Sequence, residues 1–174
     1  MTQHYTITVC EASRVGKSTL INALIGKEVA KTSSSLNSCT KKIEKYIIKH
    51  NVESSNGLLG YTITFWDTPG IEKWTENEVR SFLSQIMNET KPICTIYCAS
   101  PGSFAVPEQV AWFVQTCIDR DIFVALVCTN MYAGNKRLQV MKQFTDLIES
   151  SQLPAQRREE NGIVYFGRIA LCTM

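Results

Sequence analysis

The chain has 174 residues, 44% of them hydrophobic, and its formal net charge is +2 at pH 7. This length and composition indicate one domain with a single substantial core. The basic cluster at residues 41–49 interleaves lysines with isoleucines, as a solvated strand edge does. Neither this cluster nor the nearly balanced charge predicts a nucleic-acid partner, so we expect none.

The seven cysteines and two histidines show no spacing typical of a metal site. Most of the cysteines lie in apolar stretches, where free thiols behave as small buried hydrophobes in a reducing compartment: Cys10, Cys94, Cys98, Cys128 and Cys172. The first residues lack a signal-peptide pattern, and no apolar run approaches the roughly 18 residues of a membrane span. The sequence thus predicts a cytoplasmic protein without a zinc site or a membrane span.

Short apolar runs alternate with helical patterns along the chain, which is typical of an α/β fold with a mostly parallel sheet. Six strands are predicted, at residues 5–10, 43–49, 61–67, 93–99, 122–128 and 163–169. Apolar residues recur at helical spacing around 79–87, 110–118 and 135–151, which predicts helices packed on that sheet. The segment between the second and third strands is too short for a crossover helix, so it predicts a hairpin and one antiparallel edge strand.

The stretch "CEASRVGKSTLINAL" contains the phosphate-loop pattern G-x-x-x-x-G-K-[ST], with Glu11 in place of the first glycine. It lies between a predicted strand and a helix, where backbone N–H groups can hold phosphates. Lys17 would reach the β and γ phosphates, and the Ser18 hydroxyl would bind Mg²⁺. The predicted nucleotide-binding residues of this loop are Ser13, Arg14, Val15, Gly16, Lys17, Ser18 and Thr19.

A second motif, "TITFWDTPG", places Asp67 at the end of an apolar strand and Gly70 shortly after it. A carboxylate there can hold Mg²⁺ through water, and the Gly70 N–H can meet the γ-phosphate. A strand-ending turn is the simpler explanation of this motif alone. Its occurrence after the first motif, in the order that phosphate-binding folds require, favours the nucleotide site.

With both motifs in place, the sequence resembles the translation-factor-related P-loop GTPases, especially AIG1/GIMAP-like and Era/50S-ribosome-binding-GTPase-like members. The resemblance covers essentially the whole chain and is carried by "VGKSTLINALIG", "DTPGI" and "ICTIYCASPGSFAVPEQ". It implies a three-layer G domain that binds GTP or GDP with Mg²⁺. It also implies a threonine in the loop after the first helix that closes over Mg²⁺ and the γ-phosphate; Thr40 is the first candidate and Thr32 the second.

The guanine-recognition motif departs from the family pattern N-K-x-D. The chain reads "LVCTNMYAG", so a motif starting at Asn130 ends at Ala133, and one starting at Thr129 ends at Tyr132. Neither register supplies the aspartate that rejects adenine, so guanine specificity follows from the resemblance and not from this motif. Thr129 and Asn130 are the predicted base-side residues. The last guanine motif is also missing, since the sixth strand is followed by "IALCTM" without Ser-Ala-Lys.

Hydrolysis would need help from a residue outside the usual position, because Ile71 follows the DTPG motif and cannot orient a water. Guanylate-binding proteins carry an arginine at the position of Arg14 and use it as a finger on the phosphates. Such a cation can raise the rate by roughly 10³ to 10⁵. The predicted catalytic residues are therefore Arg14, Lys17, Thr40 and Gly70. A solvated Arg14 is the alternative.

Glu11 leaves two functions open. If its side chain points to solvent, the loop can bind nucleotide and the protein is a GTP-hydrolysing switch, activated by dimerisation in one version of this hypothesis. If it points inward, repulsion of phosphate favours a pseudo-GTPase scaffold. A P-loop enzyme acting on ATP is a third, less favoured reading.

The sequence ends at Met174, directly after the sixth predicted strand, where a complete G domain has a further helix. We therefore expect residues 1–174 to be a single G domain within a longer protein, with that C-terminal helix missing. A parallel sheet is normally covered on both faces, so the open face and the switch surface around Trp74 are the expected contacts of a homodimer or another partner.

Overall fold

Twelve helices and strands follow one another in the computed structural model, which describes residues 2–11, 15–30, 43–54, 57–68, 75–101, 107–130, 135–151 and 156–174. The first half contains β1 (Thr2–Glu11), α1 (Lys17–Ile25), β2 (Glu44–Ser54), β3 (Gly57–Asp67), α2 (Glu76–Thr90) and β4 (Cys94–Ala99). The second half contains α3 (Pro107–Ile118), β5 (Phe123–Cys128), α4 (Asn135–Ser150), β6 (Arg157–Glu160), β7 (Ile163–Phe166) and β8 (Ile169–Thr173). This alternation is the α/β order that the sequence predicted.

The strands form one sheet in the order β2-β3-β1-β4-β5-β8-β7-β6. Its central strands are parallel: β1 pairs with β3 and β4, and β5 pairs with β4 and β8. β2 pairs with β3 in the antiparallel sense, which confirms the predicted hairpin and antiparallel edge strand. Because parallel strands run the same way, the carboxyl ends of β1, β3, β4 and β5 all lie at one edge of the sheet.

The prediction of six strands was wrong, since the described residues form eight. The run predicted as one strand at 163–169 is two antiparallel strands, β7 and β8, which are joined by a tight turn with Gly167 at φ 57°. β6 adds a second hairpin, whose two-residue turn has Asn161 at φ 52° and Gly162 at φ 76°. Positive φ at both positions is the geometry of a hairpin turn that favours Asn-Gly. The sheet is therefore antiparallel at this edge as well.

The helices cover the sheet in two layers, because apolar residues on opposite faces of the strands need separate partners. α2, α3 and α4 share one core with the strands, built on buried residues such as Leu83, Phe113 and Phe144. α1 packs on the opposite face through Leu20 and Ile21. The result is the three-layer arrangement expected of a G domain.

The α1 face is less completely covered than the other. Cys94, Ala125 and Cys172 pack at the margin of its core and are only half-buried. Among the described helices, α1 alone packs on this face. The expectation that this face is a contact surface stays a prediction.

Candidate nucleotide-binding site

The site lies where the carboxyl ends of the parallel strands meet, which is the usual ligand position in open α/β sheets. Register brings its parts together: Val9 pairs with Asp67 across β1 and β3, and Glu11 pairs with Cys98 across β1 and β4. The described part of the predicted phosphate loop, residues 15–18, connects this edge to α1. The two motifs found in the sequence are thus neighbours in the fold.

Gly16 gives the loop its turn into α1. It adopts φ 90° and ψ 24° as the residue before the first helical turn, and its carbonyl accepts the Leu20 N–H at 2.9 Å. This left-handed conformation strains any residue with a Cβ, so a glycine is required here. After the turn, Ser18 is half-buried and Thr19 is exposed in the first turn of α1.

Lys17 is the electrostatic centre of the site. Its side chain is only 2% exposed, and its Nζ forms an ion pair with Asp67 and lies 3.6 Å from Glu11 Oε1. One buried ammonium group therefore faces two buried carboxylates. A buried charge in this setting depends on its partners, because removing one leaves the other uncompensated.

The Glu11 side chain points into the site, not to solvent. Glu11 is 7% exposed and is the last residue of β1, so its backbone is extended and needs no glycine. Backbone N–H groups of Val15 and Lys17 donate hydrogen bonds to its carboxylate. Burial raises the pKa of Glu11, and Lys17 opposes this by favouring the charged form. Of the two orientations that the sequence left open for Glu11, the structure therefore shows the inward one.

Two buried threonines at the carboxyl edge of the sheet donate hydrogen bonds to neighbouring segments. Thr68, directly after Asp67, is fully buried and donates from both its N–H and its hydroxyl to the Val9 carbonyl, at 3.1 and 3.0 Å. Thr129, at the end of β5, donates its hydroxyl to the carbonyls of Val15 and Ala99. The hydroxyl of Thr129 therefore links the phosphate loop to the predicted base-side segment.

The structure distinguishes the two candidates in that segment. Thr129 is 3% exposed and contacts the phosphate loop, while Asn130 is exposed and adopts φ 58°. Of the two, Thr129 therefore contacts the phosphate loop, and the base-side roles of both residues stay predictions. Residues 131–134, which include both candidates for the missing aspartate position, lie outside the described residues.

Several predicted site residues also lie outside the described residues: Ser13, Arg14, Thr40 and Gly70, together with the second choice Thr32, and Ile71 and Trp74. Their roles stay predictions. The structure brings together Val15, Gly16, Lys17, Asp67 and Thr129 among the predicted residues that it describes.

Asn22 was missed by the sequence reasoning. Its amide donates to the Ala30 carbonyl at 2.9 Å, and its Oδ1 accepts the N–H groups of Val29 and Ala30 at 2.9 and 2.8 Å. These bonds fix the chain directly before residues 31–42, where Thr40 lies. A polar residue on the inner part of an otherwise apolar helix, in "TLINALIG", is the signal that could have identified it.

The oxygen donors fit a magnesium ion better than zinc. Ser18 and Asp67 supply a hydroxyl and a carboxylate, and Mg²⁺ commonly takes one or two protein oxygens and completes its shell with phosphate and water. Within the described ranges, no three His, Cys, Asp or Glu side chains cluster as a metal site. No helix in those ranges is long and apolar enough to cross a membrane.

A strand, a lysine-bearing loop and a helix at this edge of such a sheet are the parts of a P-loop nucleotide-binding domain. Residues 7–127 match the sequence family described as 50S ribosome-binding GTPase. The chain therefore belongs to that family. No curated protein matches the sequence. The predicted resemblance to P-loop GTPases is confirmed, whereas its AIG1/GIMAP-like branch stays a prediction.

Solved structures share the fold at low sequence identity. Era from Aquifex aeolicus bound to GDP·AlF4⁻ superposes with a TM-score of 0.59 and 16% identity, covering 98% of this chain and 51% of that one. The septin GTPase domain from Chlamydomonas reinhardtii has a TM-score of 0.55 and 15% identity, covering 92% and 65%. Era in complex with MgGDPNP and a segment of 16S ribosomal RNA has a TM-score of 0.56 and 17% identity, covering 99% and 52%.

The chain thus spans only 51 to 65% of the length of these three structures. One of them is an RNA complex, so the expectation that our chain has no nucleic-acid partner stays a prediction.

Proposed function

We propose that this chain binds a guanine nucleotide with Mg²⁺ at the carboxyl edge of its sheet. The observation that carries the proposal is Lys17, a buried lysine at the end of a phosphate loop, beside the Asp67 carboxylate, in a chain of a GTPase family. A buried lysine at this position meets phosphate oxygens as a compact point charge.

Mg²⁺ would be held by Ser18 and Asp67, directly or through water, with Thr40 as the proposed third oxygen. When bound, it would neutralise phosphate charge. That charge matters here, because the described site has two carboxylates and one ammonium group before any phosphate arrives. Lys17 would exchange its contact with Asp67 for a contact with phosphate.

Hydrolysis is proposed to be slow in the isolated chain. Lys17, Thr40, Gly70 and Arg14 are the proposed catalytic residues. Arg14 would supply a cation to the phosphates, because Ile71 cannot orient the attacking water. A homodimer through the nucleotide or switch face is the proposed activator, and the cytoplasm is the proposed location. Steady-state phosphate release should then rise more steeply than in proportion to protein concentration.

A second candidate, a pseudo-GTPase scaffold, is favoured by one observation: the Glu11 carboxylate points into the loop that would hold phosphate. It predicts phosphate release at the buffer baseline at every protein concentration. The Arg14→Ala variant would then equal the wild type.

The proposed site is tested by titrating the protein with GTP in the presence and absence of Mg²⁺. Ser18→Ala removes the hydroxyl proposed to bind Mg²⁺, so it should weaken binding only in the presence of the metal. Ser81→Ala, an exposed serine on α2, is the matched control and should bind as the wild type does. Equal effects of the two substitutions would contradict the proposed metal ligand, and no binding by any variant would contradict the proposed function.

A further inference from the structure

The described phosphate loop already holds an anion that belongs to the chain. The Glu11 carboxylate accepts hydrogen bonds from the Val15 and Lys17 N–H groups and lies 3.6 Å from Lys17 Nζ. Two backbone donors converging with an ammonium group are the set that P-loops use for a phosphate group. A carboxylate and a phosphate group offer such donors the same kind of partner, a negatively charged oxygen.

The position of Glu11 in the fold supports this contact. The residue closes β1, where it pairs with Cys98, and its side chain is 9% exposed. Strand alternation puts it on the same face as Val9, which is the face that α1 covers. The carboxylate is therefore directed at the loop by the sheet, without any strain in the backbone.

We propose that the Glu11 carboxylate is an internal ligand of the phosphate site, so that a polyphosphate binds only by displacing it. The inference deepens the proposed function, on which it rests for the identity of the natural ligand. Glu11 is then the residue that sets the affinity of the site for phosphate. An incoming phosphate must take over the N–H donors of Val15 and Lys17 and move the carboxylate away.

The direct test is calorimetric titration with tripolyphosphate and, separately, with GTP and Mg²⁺. Glu11→Gln keeps the size of the side chain but removes its charge, so tripolyphosphate affinity should rise at least about tenfold. Glu11→Asp withdraws the carboxylate by one methylene group and should give a smaller rise. Glu108→Gln, an exposed glutamate in the first turn of α3, is the matched control and should equal the wild type.

The outcomes separate this inference from the proposed function. Tighter tripolyphosphate binding by the two Glu11 variants, with the control unchanged, supports the internal ligand. The same affinity in all four proteins overturns it, even if all of them bind GTP. If Glu11→Gln gains tripolyphosphate affinity while no protein binds GTP, the internal ligand stands and the proposed function fails. If Glu11→Gln does not fold, the comparison of Glu11→Asp with the wild type decides.

Discussion

Replacing the phosphate-loop lysine should lower the free energy of unfolding of this protein more than it would in a protein whose lysine is exposed. In Lys17→Met, the Glu11 and Asp67 carboxylates lose their shared cation and face one another as like charges. At an effective dielectric constant of about 20, one pair of unit charges 3.6 Å apart interacts by about 5 kcal/mol. Desolvation offsets part of this, and breaking a buried ion pair typically costs about 3–5 kcal/mol.

Urea denaturation of the nucleotide-free protein measures this cost. We expect Lys17→Met to lower the free energy of unfolding by about 3–5 kcal/mol. Adding Glu11→Gln removes one of the two stranded carboxylates, so the double variant should be less destabilised than the sum of the single changes. Lys142→Met replaces an exposed lysine on α4 and should stay within about 0.5 kcal/mol of the wild type.

A loss of less than about 1 kcal/mol in Lys17→Met, together with simple additivity of the two substitutions, would contradict this expectation. Such a result would mean that the buried charges are compensated by other groups. It would also mean that Lys17 does not couple Glu11 to Asp67.

Three further changes test separate parts of the structure. Burial raises the pKa of Glu11, so the folded protein binds this proton more strongly than the unfolded chain does. The stability of the wild type relative to Glu11→Gln should therefore fall as the pH rises from about 4.5 through the raised pKa of Glu11. The total fall should be about 1.4 kcal/mol for each unit by which folding raises that pKa. Urea denaturation at several pH values measures it. Thr129→Val removes the hydroxyl that donates to the Val15 carbonyl, whereas the Ala99 carbonyl keeps the residue-129 N–H at 2.8 Å. This change should cost about 1–3 kcal/mol in the same assay, and Thr129→Ser, which keeps the hydroxyl, should cost less. Phe113 is 1% exposed, and its ring centroid lies 5.2 Å from that of Tyr97. Phe113→Ala should therefore lower the stability by about 3–5 kcal/mol in thermal unfolding, and a loss of less than about 1 kcal/mol would contradict the described core.

The central fold was predictable because its strands are apolar and its helices are amphipathic. The parallel core followed from the alternation of these patterns, and the placement of Lys17 and Asp67 in one site followed from the order of the two motifs. The final hairpins were missed for a physical reason: β6 reads Arg157–Glu160 and is exposed throughout, so it has no apolar alternation. The Asn161-Gly162 pair that turns this hairpin is nevertheless a recognised signal.

The direction of Glu11 was left open in the sequence, although strand alternation could have decided it. A residue two positions after Val9 in the same strand shares its face, and Val9 belongs to the core under α1. The hydrogen bond from Thr129 to Val15 could not have been predicted, because the two residues are 114 positions apart and meet only through the register of β1, β4 and β5.

Calorimetric titration of the chain with GTP, GDP and ATP in Mg²⁺ tests whether it binds guanine nucleotides at the proposed site. We expect saturable binding of GTP and GDP at one site per chain, tighter than the binding of ATP. Equal affinity for the three nucleotides, or no binding of any of them, would contradict it.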